Sequence, residues 1–189
     1  MSAEIQLTTV STEADVQGIL ELQARNLPAV LSAETMRSQG FVTVRHDPAV
    51  LQRMNEADPS IIAKAGGQVV AYALVMRREF AADVPVLLPL FETLSALSWC
   101  GAPLRVDPRW FVMGQICVAE EYRGTGVFDR LYQTMSDTYR GRYDFTVTEV
   151  AERNTRSLRA HERVGFRILH TYAHAKTGEI WHVIVMDFR

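Results

Sequence analysis

Apolar and polar positions alternate in runs that switch between a two-residue and a three-to-four-residue period along the chain. Ile5, Leu7 and Thr9 alternate with polar neighbours, which predicts a first strand. Thr12 and Asp15 have the spacing of a capping box, and Val16, Ile19, Leu20 and Gln23 follow at helical spacing. Pro28 and Pro48 interrupt the stretch from Leu27 to Pro59, where a short helix is predicted over Ala49–Glu56. Ser60–Lys64 and Gln68–Arg77 are apolar strands around Gly66-Gly67, a dipeptide that predicts a tight hairpin. Between Phe80 and Pro108, Leu87, Leu88, Phe91, Leu94, Ser95 and Leu97 predict a helix from about Pro85 with a wide apolar stripe.

The second half has a clearer rhythm. Trp110–Val118 is an apolar strand, and Val127–Tyr139 keeps Phe128, Leu131, Tyr132, Met135 and Tyr139 on one helical face. Phe145, Val147 and Glu149 alternate with Thr146, Thr148 and Val150 in another strand. Asn154–Arg163 is a short helix with Gly165 just past its end, the place for a left-handed residue. Phe166–Ala175 and Glu179–Phe188 form a last hairpin around Thr177-Gly178. The predicted order is β-α-(α)-β-β-(α insertion)-β-α-β-α-β-β. It implies an α/β fold with a mixed sheet and helices on both faces.

Composition narrows the function classes. At 189 residues with 48% apolar content, a single domain spanning 1–189 with a substantial core is expected. The net charge of −2 leaves no broad basic surface for nucleic acid. Arg153, Arg156, Arg159, Arg163 and Arg167 paint one helix face. That face is either solvated, or it brings Arg156 or Arg159 to a phosphate-bearing ligand. Cys100 and Cys117 have no paired spacing, so neither a disulfide framework nor a zinc site is expected. The longest apolar run, Val84–Phe91, is too short for a bilayer and contains two prolines. With no secretion signal at the start, the expected setting is a reducing cytoplasm, with no membrane partner.

The chemistry concentrates in Val118-Ala-Glu-Glu-Tyr-Arg-Gly-Thr-Gly-Val-Phe128. An Arg-Gly-x-Gly loop between a strand and a helix is suited to holding phosphate. Glycines let the ligand approach the backbone, and the helix start supplies unpaired N–H groups and roughly half a positive charge. A second segment follows, Asn154-Thr-Arg-Ser-Leu-Arg-Ala-His161-Glu-Arg-Val-Gly165-Phe166. Gly124, Gly126 and Phe128 do not supply the GxGxxG spacing of a dinucleotide site, and no Gly-Lys-Ser/Thr marks a P-loop.

These two segments in this order resemble the GCN5-related N-acetyltransferase (GNAT) family. The family's Gln/Arg-x-x-Gly-x-Gly/Ala loop falls on Arg123, Gly126 and Phe128, and its second segment on Asn154, His161, Gly165 and Phe166. The resemblance is clear from about Val112 onward. Phe128 stands where a small residue is usual, and His161 where the family often has Tyr.

The resemblance implies the acyl-CoA N-acyltransferase fold, mostly antiparallel, with an unusual insertion near 80–108. It implies transfer of the acetyl group of acetyl-CoA directly to a primary amine, without metal. The acceptor is a small molecule or a peptide, contacted by Leu27–Pro59, the insertion and the last hairpin. Family members often pair as dimers, so a homodimer is reasonable.

The coenzyme is expected on Ile116, Cys117, Val118, Arg123, Gly124, Thr125, Gly126, Val127, Phe128, Asn154, Ser157 and His161. Arg123 adds charge at the pyrophosphate. The N–H of Cys117 or Val118 faces the developing oxyanion. The resemblance puts His161 in the thiolate-facing position, as the acid; the alternative is a packed histidine that lines the coenzyme tail.

Glu149 is read from the residues themselves. It is a carboxylate on the apolar face of its strand, where burial raises its pKa and suits it as general base. The alternatives are that Glu149 forms an ion pair with a nearby arginine and that the amine loses its proton through a water relay or a desolvating pocket. Glu120 and Glu121 are rivals that would repel the coenzyme if turned inward. His170, His174 and His182 invite a metal reading. With a turn at Thr177-Gly178, His174 faces Trp181 and His182 faces Ala173, which puts His182 on the opposite side of the sheet from the other two. The alternative to an enzyme is a non-catalytic regulatory module that binds CoA or acyl-CoA.

Overall fold

Strand β1 (Ile5–Thr9) alternates half-buried and exposed side chains, as a strand at the sheet's edge with one covered face should. The structure, a computed structural model, describes residues 4–27, 29–30, 42, 44–175 and 177–188. Most of the acceptor-contacting stretch expected between Leu27 and Pro48 (28, 31–41 and 43) lies outside the described residues.

Helix α1 (Glu13–Arg25) opens with the expected capping box. Thr12 Oγ1 accepts the Asp15 N–H at 3.2 Å, and the Asp15 carboxylate accepts the Thr12 N–H at 3.1 Å. Such a cap contributes about 1 kcal/mol. Leu22, rather than Leu20, joins Val16, Ile19 and Gln23 on the buried face. Helix α2 (Pro48–Ala57) is capped by Asp47, whose Oδ1 accepts from Ala49 and Val50 at 2.9 and 3.1 Å. Proline at its start costs no hydrogen bond.

Strands β2 (Ile61–Ala65) and β3 (Gln68–Met76) pair antiparallel, with Ala65 opposite Gln68. The two intervening glycines both have positive φ, 56° and 81°, as a two-residue hairpin turn of this hand demands. Strand β3 is buried from Val69 to Met76, which fits its central place in the sheet.

The insertion departs from the sequence reading. Two 3₁₀ turns, Arg78–Asp83 and Pro85–Leu87, precede helix α3 (Leu88–Ser95), which starts three residues later than expected. A small hairpin follows, β4 (Ser98–Trp99) and β5 (Ala102–Pro103). Two-residue strands are too short to leave a period in the sequence. Arg78 Nη1 donates to the carbonyls of Leu104 and Arg105 at 3.1 and 2.7 Å, and Trp110 Nε1 donates to Leu104 at 3.0 Å. Trp99 Nε1 donates to Asp187 at 2.9 Å, so the C-terminal part of the insertion is tied down at Trp99 as well as at Leu104 and Arg105.

The remaining elements are β6 (Trp110–Val118), α4 (Val127–Tyr139), β7 (Phe145–Ala151), α5 (Thr155–Arg163), β8 (Arg167–Ala173) and β9 (Ile180–Asp187). The main sheet has seven strands in the order β1-β2-β3-β6-β7-β9-β8. It is antiparallel at β1–β2, β2–β3, β7–β9 and β8–β9, and parallel at β6–β7, where Trp110–Val112 registers with Phe145–Val147. The sheet is therefore mixed and mostly antiparallel, as expected.

In the last hairpin His182 lies opposite Thr171 and Trp181 opposite Tyr172. The register is thus displaced by two residues from the one inferred, because the turn is longer than Thr177-Gly178 alone. An even displacement preserves which side each residue faces. Among the described residues, no group of three or more His, Cys, Asp or Glu is arranged to hold a metal ion, and no helix is long and apolar enough to cross a membrane.

The chain divides into two compact units, Met1–Met76 with Met113–Thr138, and Arg77–Val112 with Tyr139–Arg189. The first has its core in Ile19, Leu22, Leu51, Met54, Ile62, Tyr72, Leu131 and Tyr132. In the second, Phe111 packs against Tyr139, Tyr143 and Phe188 with ring centroids 5.1–5.7 Å apart.

Candidate functional site

The first unit carries the glycine loop. Along the end of β6, Gln115 and Cys117 are buried while Gly114, Ile116 and Val118 remain half-exposed. One face of the strand is thus left available for a ligand, and it includes the predicted Ile116 and Val118. A 3₁₀ turn at Glu120–Tyr122 then redirects the chain. Thr125 Oγ1 donates to the Tyr122 carbonyl at 2.7 Å, folding the loop back on that turn. Gly124 and Gly126 have φ of 77° and 80°, the left-handed region that side chains avoid. A Cβ built on either glycine would meet nothing within 4 Å, so both backbones are open to an approaching phosphate.

The Gly126 carbonyl accepts the Arg130 N–H at 3.1 Å, which makes it the first acceptor of α4. The amides of the opening turn have no partner within the helix. The apolar stripe of α4 differs by one position from the reading. Val127 is fully buried, whereas Phe128 is half-buried with its ring edge-on to Tyr132 at 5.2 Å. The bulky Phe128 side chain therefore turns along the helix and leaves its backbone to the loop.

Arg123 behaves differently from the expectation. Its Nε donates to the Val118 carbonyl at 3.0 Å and its Nη2 to Asn26 Oδ1 at 2.8 Å. The guanidinium thus braces the strand end against the end of α1, with Nη1 buried and unpaired. The loop amides, rather than this side chain, are the groups presented to an anion.

Beneath the strand lies a polar cluster that the apolar pattern concealed. Tyr72 donates to Gln115 Oε1 at 2.5 Å, and Gln115 Nε2 donates to the Val44 carbonyl at 2.9 Å. Cys117 sits beside it, its thiol pushed up to about 12 by burial, which the charge of Arg123 only partly offsets. It stays a thiol at neutral pH and is a poor nucleophile.

The second unit carries the other predicted residues. Asn154 caps α5, its Oδ1 accepting the Ser157 N–H at 3.2 Å. His161 is buried, and its Nδ1 lies 2.8 Å from the Ser157 carbonyl and 3.2 Å from Ser157 Oγ. A carbonyl only accepts, so Nδ1 carries the proton and the neutral ring presents a lone pair at Nε2. Burial pulls the His161 pKa down to about 4, against a smaller upward pull from the Ser157 carbonyl. At neutral pH the ring holds no proton at Nε2 to give away, which weighs against the acid role expected of it. Phe166 packs edge-on against it at 5.0 Å.

Glu149 is half-buried, and burial raises its pKa despite the Tyr172 hydroxyl donating to its Oε2 at 2.5 Å. A carboxylate with raised proton affinity has the property a general base needs. Tyr172 was not foreseen, because only the register of β7, β9 and β8 brings it near Glu149. Of the basic cluster, Arg153 pairs with Glu179 and Arg167 with Asp187, while Arg156, Arg159 and Arg163 are exposed.

Comparison with known proteins completes the picture. A search of curated protein sequences finds no match. Solved structures share the fold at low identity. One is Ard1 from Thermoplasma volcanium, 11% identical with a TM-score of 0.63, where 97% of each chain is covered. Another is yncA, a putative acetyltransferase from Salmonella typhimurium solved with acetyl-CoA, 15% identical at TM-score 0.63, covering 99% of this chain and 95% of that one. A third is the ribosomal-protein-S18-alanine N-acetyltransferase from Escherichia coli, 14% identical at 0.57, with 98% and 94% covered. The sequence model of the acetyltransferase (GNAT) family matches residues 19–166, the glycine loop and the Asn154–Phe166 segment included, and this chain belongs to that family.

Proposed function

We propose that this protein transfers the acetyl group of acetyl-CoA directly to a primary amine. The observation that carries the reading is the loop at Arg123–Phe128. Two left-handed glycines with open Cβ positions run into a 13-residue helix, in a chain of the acetyltransferase family. The family match runs through both units, which supports reading residues 1–189 as one functional domain.

Three demands of the reaction meet residues of this chain. Backbone amides from Gly124 to Phe128 hold the pyrophosphate, and Asn154 and Ser157 line the pantetheine arm. The Cys117 or Val118 N–H stabilises the oxyanion as the amine nitrogen bonds to the thioester carbon, which contributes a few kcal/mol. Glu149 takes the proton from the amine. A lysine-like amine is neutral in only about one molecule in a few thousand at pH 7, so this help matters. The carbon–sulfur bond then breaks with its electron pair on sulfur. His161, neutral in the free protein, lines the thiol rather than storing its proton, and the thiolate takes a proton from water.

A CoA-binding module without turnover is the second reading, and the deprotonated state of His161 favours it. Calorimetric titration with acetyl-CoA and CoA tests binding. Thiol release with a panel of small amines, amino acids and peptides bearing a free N-terminal alanine tests turnover. The E. coli neighbour's alanine acceptor motivates the peptides. Micromolar binding with acceptor-dependent thiol release supports the transferase. Binding without release from any acceptor supports the module, and no binding at millimolar ligand overturns both.

A further inference from the structure

We infer that Tyr172 is the positioning residue for Glu149, its phenol fixing one carboxylate oxygen so that the other receives the amine's proton. The inference rests on the base role proposed for Glu149. Strand β9 lies between the strands that carry the two residues. Register puts Glu149 opposite Val183 and Val183 opposite His170, while Ala151, Trp181 and Tyr172 form the adjacent row. Two strand spacings separate β7 from β8, about 10 Å. The Tyr172 side chain spans that gap diagonally, over β9, to donate to Glu149 Oε2 at 2.5 Å. That length belongs to a hydroxyl donating to an ionised carboxylate.

The choice of partner is informative. Two of the nearby arginines are spent on other acids, Arg153 on Glu179 and Arg167 on Asp187. An arginine at Glu149 would hold its proton affinity down, whereas a phenol orients the group and leaves it basic. Burial and the Glu149 contact raise the pKa of Tyr172, so the phenol stays a donor wherever the enzyme works.

The groups facing Glu149 are few. From β8 they are Tyr172 and, in Glu149's own row, His170, whose ring lies at 12° to that of Tyr172 with centroids 6.4 Å apart. From β9 they are the uncharged Trp181 and Val183, while the ladder with β6 registers Trp110–Val112 with Phe145–Val147, short of Glu149. Helix α5, in contact with β7, carries Arg156, Arg159, His161, Glu162 and Arg163.

The test reads Glu149 directly. Protein labelled with ¹³C at the glutamate carboxyl carbons is titrated by NMR, with Glu149→Gln assigning the signal. The comparison is wild type against Tyr172→Phe, which keeps the ring and removes only the hydroxyl. A midpoint that moves to higher pH in Tyr172→Phe, with a loss of kcat/KM larger at pH 6 than at pH 8, supports the inference. An unmoved midpoint with Glu149→Gln inactive overturns the positioning role and leaves the base role standing. A moved midpoint with Glu149→Gln fully active overturns the base role, and the positioning role with it.

Discussion

A thiol with its pKa pushed up to about 12 does not attack a thioester at neutral pH, and this decides how Cys117 is read. Rapid mixing with acetyl-CoA, acid quenching and intact mass analysis should show no acetyl adduct on Cys117; an adduct that forms and decays with turnover would replace direct transfer by an acyl-enzyme. Glu149→Gln removes the proposed base while keeping the shape, and kcat/KM should fall about 10²–10⁴-fold with acetyl-CoA affinity retained. Loss of affinity in parallel would mean that Glu149 shapes the site instead. The sequence exposed Glu149 because alternation in a seven-residue strand fixes which side chains share the apolar face. It hid Tyr172, whose partner is set by register across two ladders. It also hid the turn of Arg123 toward Asn26, which depends on where α1 ends beside β6.

At the scale of elements, the course of the backbone through the strand–glycine loop–helix unit is what local chemistry specifies best. Gly126→Ala places a Cβ in open space but at φ 80°, so the backbone cost is about 1–2 kcal/mol. Gly67→Ala carries the same kind of cost at φ 81° in the β2–β3 turn, far along the chain from the loop. Both variants should lower Tm by a few degrees. Gly126→Ala alone should weaken acetyl-CoA binding, by about tenfold in calorimetry, because its Cβ stands in the open space proposed for the phosphates. Equal binding by the two variants would remove the loop from the coenzyme site. Thr12→Ala should cost about 1 kcal/mol in urea unfolding through loss of the α1 cap. Caps, glycine turns and strand alternation were legible because each is fixed within a few residues. The β4–β5 hairpin was not, since Trp99 is held by Asp187 and the adjoining Leu104 by Arg78, both distant in sequence.

At the scale of the whole molecule, two histidines are buried among the described residues, His46 and His161, both drawn from an ordinary pKa of 6.5 to about 4 by burial. His46 Nδ1 accepts from Gln23 Nε2 at 2.9 Å, and Gln23 Oε1 accepts the His46 N–H at 3.2 Å, which locks that ring neutral as well. The unfolded chain binds protons at both sites between pH 6.5 and 4 while the native chain does not. Native stability is therefore complete above about 6.5 and is lost as pH falls through that window, on the order of 3 kcal/mol per histidine. Urea midpoints at pH 7.5 and pH 5 should show the loss, and His161→Phe should reduce it. Equal pH dependence in that variant would place His161 outside the linkage. The sequence by itself determined the order of the main-sheet strands and their helices, the mixed sheet, the glycine loop and the family, because these follow from periodicity and from glycines at fixed offsets. Only the tertiary structure decided the protonation of His161, the partners of Arg123 and the pairing of Glu149 with Tyr172. Burial and proximity are properties of packed chains, and residues far apart in sequence supply them.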